Sequence, residues 1–258
     1  MCKGPGSQAC AQGNPETAET KLALPGAAAK GVPPVSGQYN YRLKFSKLGR
    51  MVFIGHLDLL KLFQKIFRKA GLPVRYSNGF NPHQIMSFAC PLPLGFSSCA
   101  EYLDIGLTQE IEPETIKQLI NMALPNGLSI LDVKRAYKNA SAQVAAAAYE
   151  VKFKHNVSPE IIEGILREKE IFIDKKTKSG TKREDIRGGI YDLRLIGSCT
   201  VYMLISTGSK QNLKPELLAG LICQGFDYNK FDIRYLRAEI YTLINNGLVS
   251  LNAWGEEF

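Results

Sequence analysis

Cysteine is present but never in a metal-binding spacing. The six cysteines stand at 2, 10, 90, 99, 199 and 223, with no CxxC pair. That argues against a zinc ribbon, an iron–sulfur cluster and a disulfide scaffold, and fits reduced thiols in a cytoplasmic protein. Long apolar runs are also missing. None approaches the ~18 residues that a bilayer span requires, so no membrane partner is expected. The first residues hold no apolar stretch of the signal-peptide kind, so secretion is not expected. Histidine is scarce, with three in 258 residues. No P-loop, dinucleotide GxGxxG in a βαβ setting, HExxH, GxSxG or CxxxCxxC occurs. No cofactor and no metal site is therefore expected. Any catalysis would fall to His56 and His83 and the polar groups near them.

Acid is short relative to base. Lys and Arg number 32 against 24 Asp and Glu, a net charge of +8. The first 38 residues hold Lys3, Lys21 and Lys30 against Glu16 and Glu19, so nearly all of the excess lies in the rest of the chain. Such an excess suits a polyanionic partner, RNA above all, through phosphate neutralisation, although many basic proteins bind no nucleic acid. The hydrophobic fraction of 45% is that of a globular protein with a core.

Residues 1–38 are rich in Gly, Pro, Ala, Ser and Gln and lack apolar periodicity, which predicts a disordered tail. From Tyr39 the pattern changes. Residues 41–45 alternate as a strand, and residues 51–54 extend a short hairpin. A helix over 57–70 closes at Gly71 and Pro73. Strands follow at 74–77, 85–90 and 100–107. A helix opens on Glu112-Pro113-Glu114, and a strand covers 128–137. After the alanines at 145–148 the order repeats. A strand covers 149–154, a helix opens at Ser158-Pro159, and strands cover 171–173, 186–196 and 200–206. A helix then covers 215–223, and 231–243 carries a further strand with room for a helical portion. Both halves read βαββαβ, so the predicted fold is α+β, two tandem ferredoxin-like domains at 39–140 and 149–245 with a C-terminal extension at 246–258. The linker falls near 138–148, where the alanines could equally continue a helix.

Three segments hold the candidate site residues. Helix 57–70 buries Leu59, Leu60, Phe63, Ile66, Phe67 and Ala70, and turns Lys61, Lys65, Arg68 and Lys69 outward along one stripe. Phosphates would relieve the repulsion within that stripe; a solvated face with cations near the helix C-terminus explains it as well. His56 and Asp58 stand at its start, as caps or as acid–base groups. The loop at 76–83 carries Tyr76, Phe80 and His83, which can stack on bases, and Ser77, Asn78 and Asn81, which can bond base edges or sugar. Its length exceeds what a tight hairpin needs. The stretch 175–183 contains Lys175, Lys176, Lys178, Lys182 and Arg183 with no acid, a basic hairpin tip able to contact phosphates or simply to face water. Asp185 and Arg187 follow at alternate positions and can pair. The PLPLG run at 91–95 reads as architecture, and Glu101 as a partner for Arg75 or a cap for the loop.

Several of these pieces together resemble a known family. They are HLD at 56–58, the helix end at 68–73, YSNGFNPH at 76–83, PLPLG at 91–95, EYLD at 101–104, and the basic stretch followed by Asp185 and Arg187. Over roughly residues 39–245 the chain resembles the bacterial radical-SAM-linked domain of unknown function, which occurs alone or fused behind a B12-binding radical SAM enzyme. Gly55 stands where that family usually has serine. The resemblance implies an accessory or substrate-presenting module for a radical SAM enzyme, acting in RNA or ribosome maturation. Two other classes fit the residues: a metal-independent endoribonuclease similar to the tandem-ferredoxin CRISPR RNA-processing enzymes, and a protein–protein adaptor. The glycine-rich C-terminal loop of those nucleases has no counterpart in NNGLVSLNAWGEEF.

Overall fold

The computed structural model describes residues 39–136, 139–177, 180–208, 211–224, 229 and 232–253. The predicted tail at 1–38 lies outside them, as does Lys178. The described part is a mixed α+β structure with a large, mostly antiparallel sheet and four α-helices. None of the described helices is long and apolar enough to cross a membrane.

The first half runs β1 (Tyr39–Lys47), α1 (His56–Lys69), β2 (Met86–Phe88), β3 (Ser97–Leu107), α2 (Pro113–Ala123) and β4 (Leu128–Arg135). Its strands lie in the order β4-β1-β3-β2, each antiparallel to its neighbour. The second half runs β5 (Ala146–Lys152), α3 (Pro159–Arg167), a separate hairpin of β6 (Phe172–Thr177) and β7 (Gly180–Asp185), β8 (Ile190–Gly197), β9 (Thr200–Ser206), α4 (Pro215–Ile222) and β10 (Arg234–Ile244). Its sheet order is β10-β5-β9-β8. Alternation along β1 and β3 sends Tyr41, Leu43, Phe45, Leu103 and Ile105 into one core with α1 and α2. A second core gathers Tyr149, Val151, Val201, Met203, Leu218 and Ile222 beneath α3 and α4. Proline at the first turn of α2, α3 and α4 starts each helix where its missing N–H costs nothing.

Several elements differ from the sequence expectation. Residues 49–53 form a 3-10 turn rather than extending a hairpin, with Gly49 at φ +58° and Met51 and Val52 buried. The strand expected at 74–77 reduces to isolated bridges, Val74 to Leu107 and Tyr76 to Gln84. The strand expected at 85–90 shrinks to β2. The alanines at 146–148 are neither helix nor linker. They open β5, which pairs with β10 on one edge and β9 on the other, and this pairing outweighs their helix propensity. All of β10 is extended. The C-terminal segment turns at Asn245-Asn246, both with positive φ, and β11 (Gly247–Ser250) folds back on β10.

The halves join where β3 and β10 run parallel, through the register Leu236 to Ser97 and Arg237 to Ser98. Arg237 is 1% exposed there and meets Glu101, 3% exposed. Nη1 of Arg237 donates to both carboxylate oxygens of Glu101 at 3.0 and 3.2 Å. Nη1 also reaches the Cys90 carbonyl at 3.4 Å, while Nε donates to the Tyr149 hydroxyl at 3.2 Å and Nη2 to the Pro91 carbonyl at 3.2 Å. Glu101 thus takes Arg237, not Arg75, as its partner. Burial pushes the Glu101 carboxyl upward and Arg237 pulls it back. Burial works against the Arg237 charge, and Glu101, Tyr149 and Cys90 more than offset it. On the other face of β3, Glu239 accepts from Lys44 at 2.7 Å and from the Tyr102 hydroxyl at 2.5 Å. Phe96 crosses the join as well: its ring stacks on Tyr235, centroids 4.3 Å apart, inside the second core.

Truncating Arg237 would leave Glu101 buried and unpaired. Arg237→Ala should cost about 3–5 kcal/mol in urea unfolding, and Arg237→Met with Glu101→Leu should recover most of it. A single-variant loss no larger than that of a surface substitution would show that the pair does not hold the join.

Candidate nucleic-acid interface

Helix α1 is amphipathic. Leu59, Phe63, Ile66 and Phe67 are buried, whereas Leu60 and Ala70 are only half-buried. Lys61, Lys65, Arg68 and Lys69 are all exposed, as the spacing predicts. The helix starts at Gly55, which supplies no capping side chain, with Asp58 in its first turn. His56 lies with its ring edge-on to Phe88, centroids 5.1 Å apart. Phe88 in turn packs on Phe45 and Phe63, so the histidine rests on the rim of the first core.

The loop that follows is closed on itself. Ser77 N–H donates to the His83 carbonyl at 2.8 Å, and His83 N–H donates to Ser77 Oγ at 3.1 Å. The same hydroxyl lies 2.8 Å from His83 Nδ1. Within this ring Gly79 takes φ +119°, a conformation glycine adopts without strain. Phe80 is wholly exposed, and Asn78, Asn81 and His83 are exposed beside it. An aromatic ring left entirely in water contributes nothing to the core.

Gln84, buried, fixes this loop to the helix. Its Nε2 donates to the Gln64 carbonyl in α1 at 3.4 Å and to the Tyr76 hydroxyl at 3.3 Å. Tyr76, 46% exposed, is thereby held against the helix that carries Lys61, Lys65 and Arg68. Sequence reasoning missed Gln84, because a lone glutamine after a turn has no periodic signal.

The described residues of the basic stretch lie in paired strands. They form most of the β6–β7 hairpin, with Lys175 opposite Lys182 and Lys176 opposite Thr181. Arg183 lies over the Phe172 ring at 4.4 Å. At the base, Asp185 Oδ1 accepts from Ile171 N–H at 2.8 Å and Arg187 N–H at 3.0 Å. The Arg187 guanidinium donates to the Leu166, Glu168 and Ile190 carbonyls and so caps the end of α3. Ile171, Ile173 and Ile186 seat the hairpin on the second core, whereas α1 and its loop belong to the first.

The fold and this surface define an α+β protein with one helix of exposed cations beside a loop of exposed aromatics. The chain belongs to the bacterial family described as "Uncharacterized protein conserved in bacteria" (DUF2344), whose model matches residues 40–215. No curated protein matches it. Among solved structures it is similar to a chain in the "Crystal Structure of a Cbf5-Nop10-Gar1 Complex", at 10% identity and a TM-score of 0.40. That match covers 78% of this chain and 48% of the other, so this chain spans about half of that protein's length. It is also similar to an unknown protein from Galdieria sulphuraria, at 13% identity and a TM-score of 0.25, covering 81% of this chain and all of that one.

The two backbone N–H groups on Asp185 hold its carboxyl below its usual pKa. A depressed folded pKa means that its contribution to the hairpin base is present above the ordinary value of 3.8 and is lost as pH falls through the folded one. In an NMR titration the Asp185 carboxyl carbon should have its midpoint below 3.8. A midpoint at or above that value would show that the two amide bonds do not form in solution.

Proposed function

We propose that this protein is a non-catalytic RNA-binding or substrate-presenting module that works with a radical SAM enzyme in RNA or ribosome maturation in the cytoplasm. The observation that carries the reading is Gln84, which ties the exposed aromatic loop to the cationic helix. Cations spaced along a helix meet phosphates; exposed rings beside them stack on unpaired bases, each such contact being worth about 1–3 kcal/mol. Lys61, Lys65, Arg68 and Lys69 hold the backbone. Tyr76, Phe80 and His83 stack, and Ser77, Asn78 and Asn81 offer polar contacts. Lys175, Lys176, Lys178, Lys182 and Arg183 extend the footprint from the second half. The two strand orders support reading each half as a ferredoxin-like unit, with β6–β7 inserted into the second. The resemblance of residues 56–104 to the radical-SAM-linked domain supports the enzyme partner. The partners of His56 and His83, an aromatic edge and a loop-closing hydroxyl, favour a structural over a catalytic role for both.

Single-stranded RNA should bind in a salt-dependent manner. Lys61→Ala/Lys65→Ala/Arg68→Ala should lower the slope of log affinity against log salt by about 2, and Phe80→Ala should weaken binding by about 1–3 kcal/mol. Labelled RNA should stay intact in EDTA. Unchanged binding by both variants would remove the interface, and cleavage by the parent would turn the reading toward the nuclease class.

A further inference from the structure

We propose that β8, the strand at the second-half end of the sheet, pairs with β8 of a second copy of this chain, antiparallel about a two-fold axis at Leu193. This does not rest on the RNA reading. β8 bonds β9 along one side, and no strand among the described residues pairs with its other side. The backbone N–H and C=O groups of such an edge can bond another extended chain. Folded proteins blunt an edge with proline, lysine, a short strand or a bulge. The strand IYDLRLIG has neither proline nor lysine, and its eight residues exceed the common strand length. Its irregularities lie toward its ends, between Ile190 and Asp192 and between Leu195 and Gly197, so residues 192–195 keep a regular register with β9.

The two charges on the strand point to a second copy as the partner. Asp192 and Arg194 stand two residues apart and share the face away from the core that Leu193 enters. They are open to solvent and pair with each other, Arg194 Nε lying 3.1 Å from Asp192 Oδ2. The Arg194 guanidinium also lies over the Tyr202 ring of β9, 4.7 Å from its centroid, which limits where it can swing. With the axis at Leu193, Asp192 falls directly opposite Arg194 of the second copy, and Arg194 opposite Asp192 of the second copy. Opposite charges facing across a strand pair attract and like charges repel. The strand is therefore complementary to itself in sign, as a two-fold interface requires. A slip of two residues would set Asp192 against its own copy, or Arg194 against its own copy, so the signs also choose the register. The same register sets Tyr191, 51% exposed, against the half-buried Leu195 of the second copy.

The opposite end of the sheet is different. There β4 has Asp132 and Lys134 at the same spacing, but Asp132 already accepts from Asn252 Nδ2 at 2.9 Å and from Val133 N–H at 2.9 Å. That carboxylate is held by the C-terminal segment, whereas the β8 charges face water.

The test is sedimentation equilibrium of the full chain, freed of nucleic acid, over rising concentration at low salt. The average mass should climb from 28.5 kDa toward twice that value. Asp192→Arg and Arg194→Asp each put like charges opposite one another at both crossings and should weaken the dimer by about tenfold or more. Mixed in equal amounts, the two variants face each other with opposite signs at both crossings, and the mixture should regain the parent's dimer. The double variant Asp192→Arg/Arg194→Asp restores complementarity within one chain and should dimerise as the parent does. A parent that stays at 28.5 kDa throughout, a dimer that tolerates both single reversals, or single variants that do not recover on mixing would each overturn the proposal.

Discussion

The join between the halves depends on a buried charge. The parallel register of β3 and β10 is short, so backbone pairing alone gives the seam little strength. Arg237 makes up the difference by facing four partners at once: the Glu101 carboxylate, the Tyr149 hydroxyl and the carbonyls of Cys90 and Pro91. Nearly every donor of the guanidinium is used, the condition under which a buried ion pair repays its desolvation. The effects run outward along the chain. Holding Cys90 and Pro91 fixes the PLPLG segment, which delivers Leu92 and Phe96 into the second core. The same segment bonds back through Gly95 N–H to the Val52 carbonyl in the turn that leads into α1. Lys47, also buried, spans this turn by donating to the Ile54 carbonyl at 2.8 Å. The entry of the cationic helix is therefore set, at several removes, by a charge in the other half.

Much of the first half was legible because its signals are local. The apolar stripe of α1, its exposed cations and the proline starts of the later helices follow from period and capping chemistry. The elements that went astray are those decided by neighbours. Ala146–Ala148 read as linker or helix on propensity, yet two paired edges make them strand. Residues 74–77 carry strand-like residues, but Arg75 bonds Gly106 on one side and Ile85 on the other, and only isolated bridges result. Asn245-Asn246-Gly247 carries the local chemistry of a tight hairpin, and β10 and β11 pair across it. Arg237 had no signal at all: nothing in RYLRAEIY marks which arginine is buried. Read in sequence, its partner Glu101 pairs with Arg75 or caps the loop, since sequence distance says nothing about which cation the fold brings near.

The site residues divide in the same way. Exposure of the helix cations follows from spacing alone. The closure of the loop by Ser77 and His83, and its attachment through Gln84, come from contacts that only the folded chain makes. These contacts also change what the histidines mean. In sequence His83 is a free imidazole in a polar loop; in the fold it shares a hydroxyl that ties residues six apart.

The two faces of the first sheet can carry different chemistry because they are covered differently. On one side α1 and α2 seal the core and leave only the helix exterior to solvent. The other side, which in an antiparallel sheet is often left to water, is partly roofed. Asp104 holds the Ala140 backbone over it, and Asn252 in the C-terminal segment donates to Asp132 at 2.9 Å. Beneath this roof Ala89, Ala100, Tyr102, Ala140, Ile240 and Leu251 form a small third core. The roof stops short of the end of β3, and the gap lies over Asn40 and Gly106. A larger residue at 106 would fill the space that the Arg75 guanidinium now occupies. The absence of a side chain there is what allows a cation to lie within the sheet face, a few residues along the chain from the loop that carries Phe80.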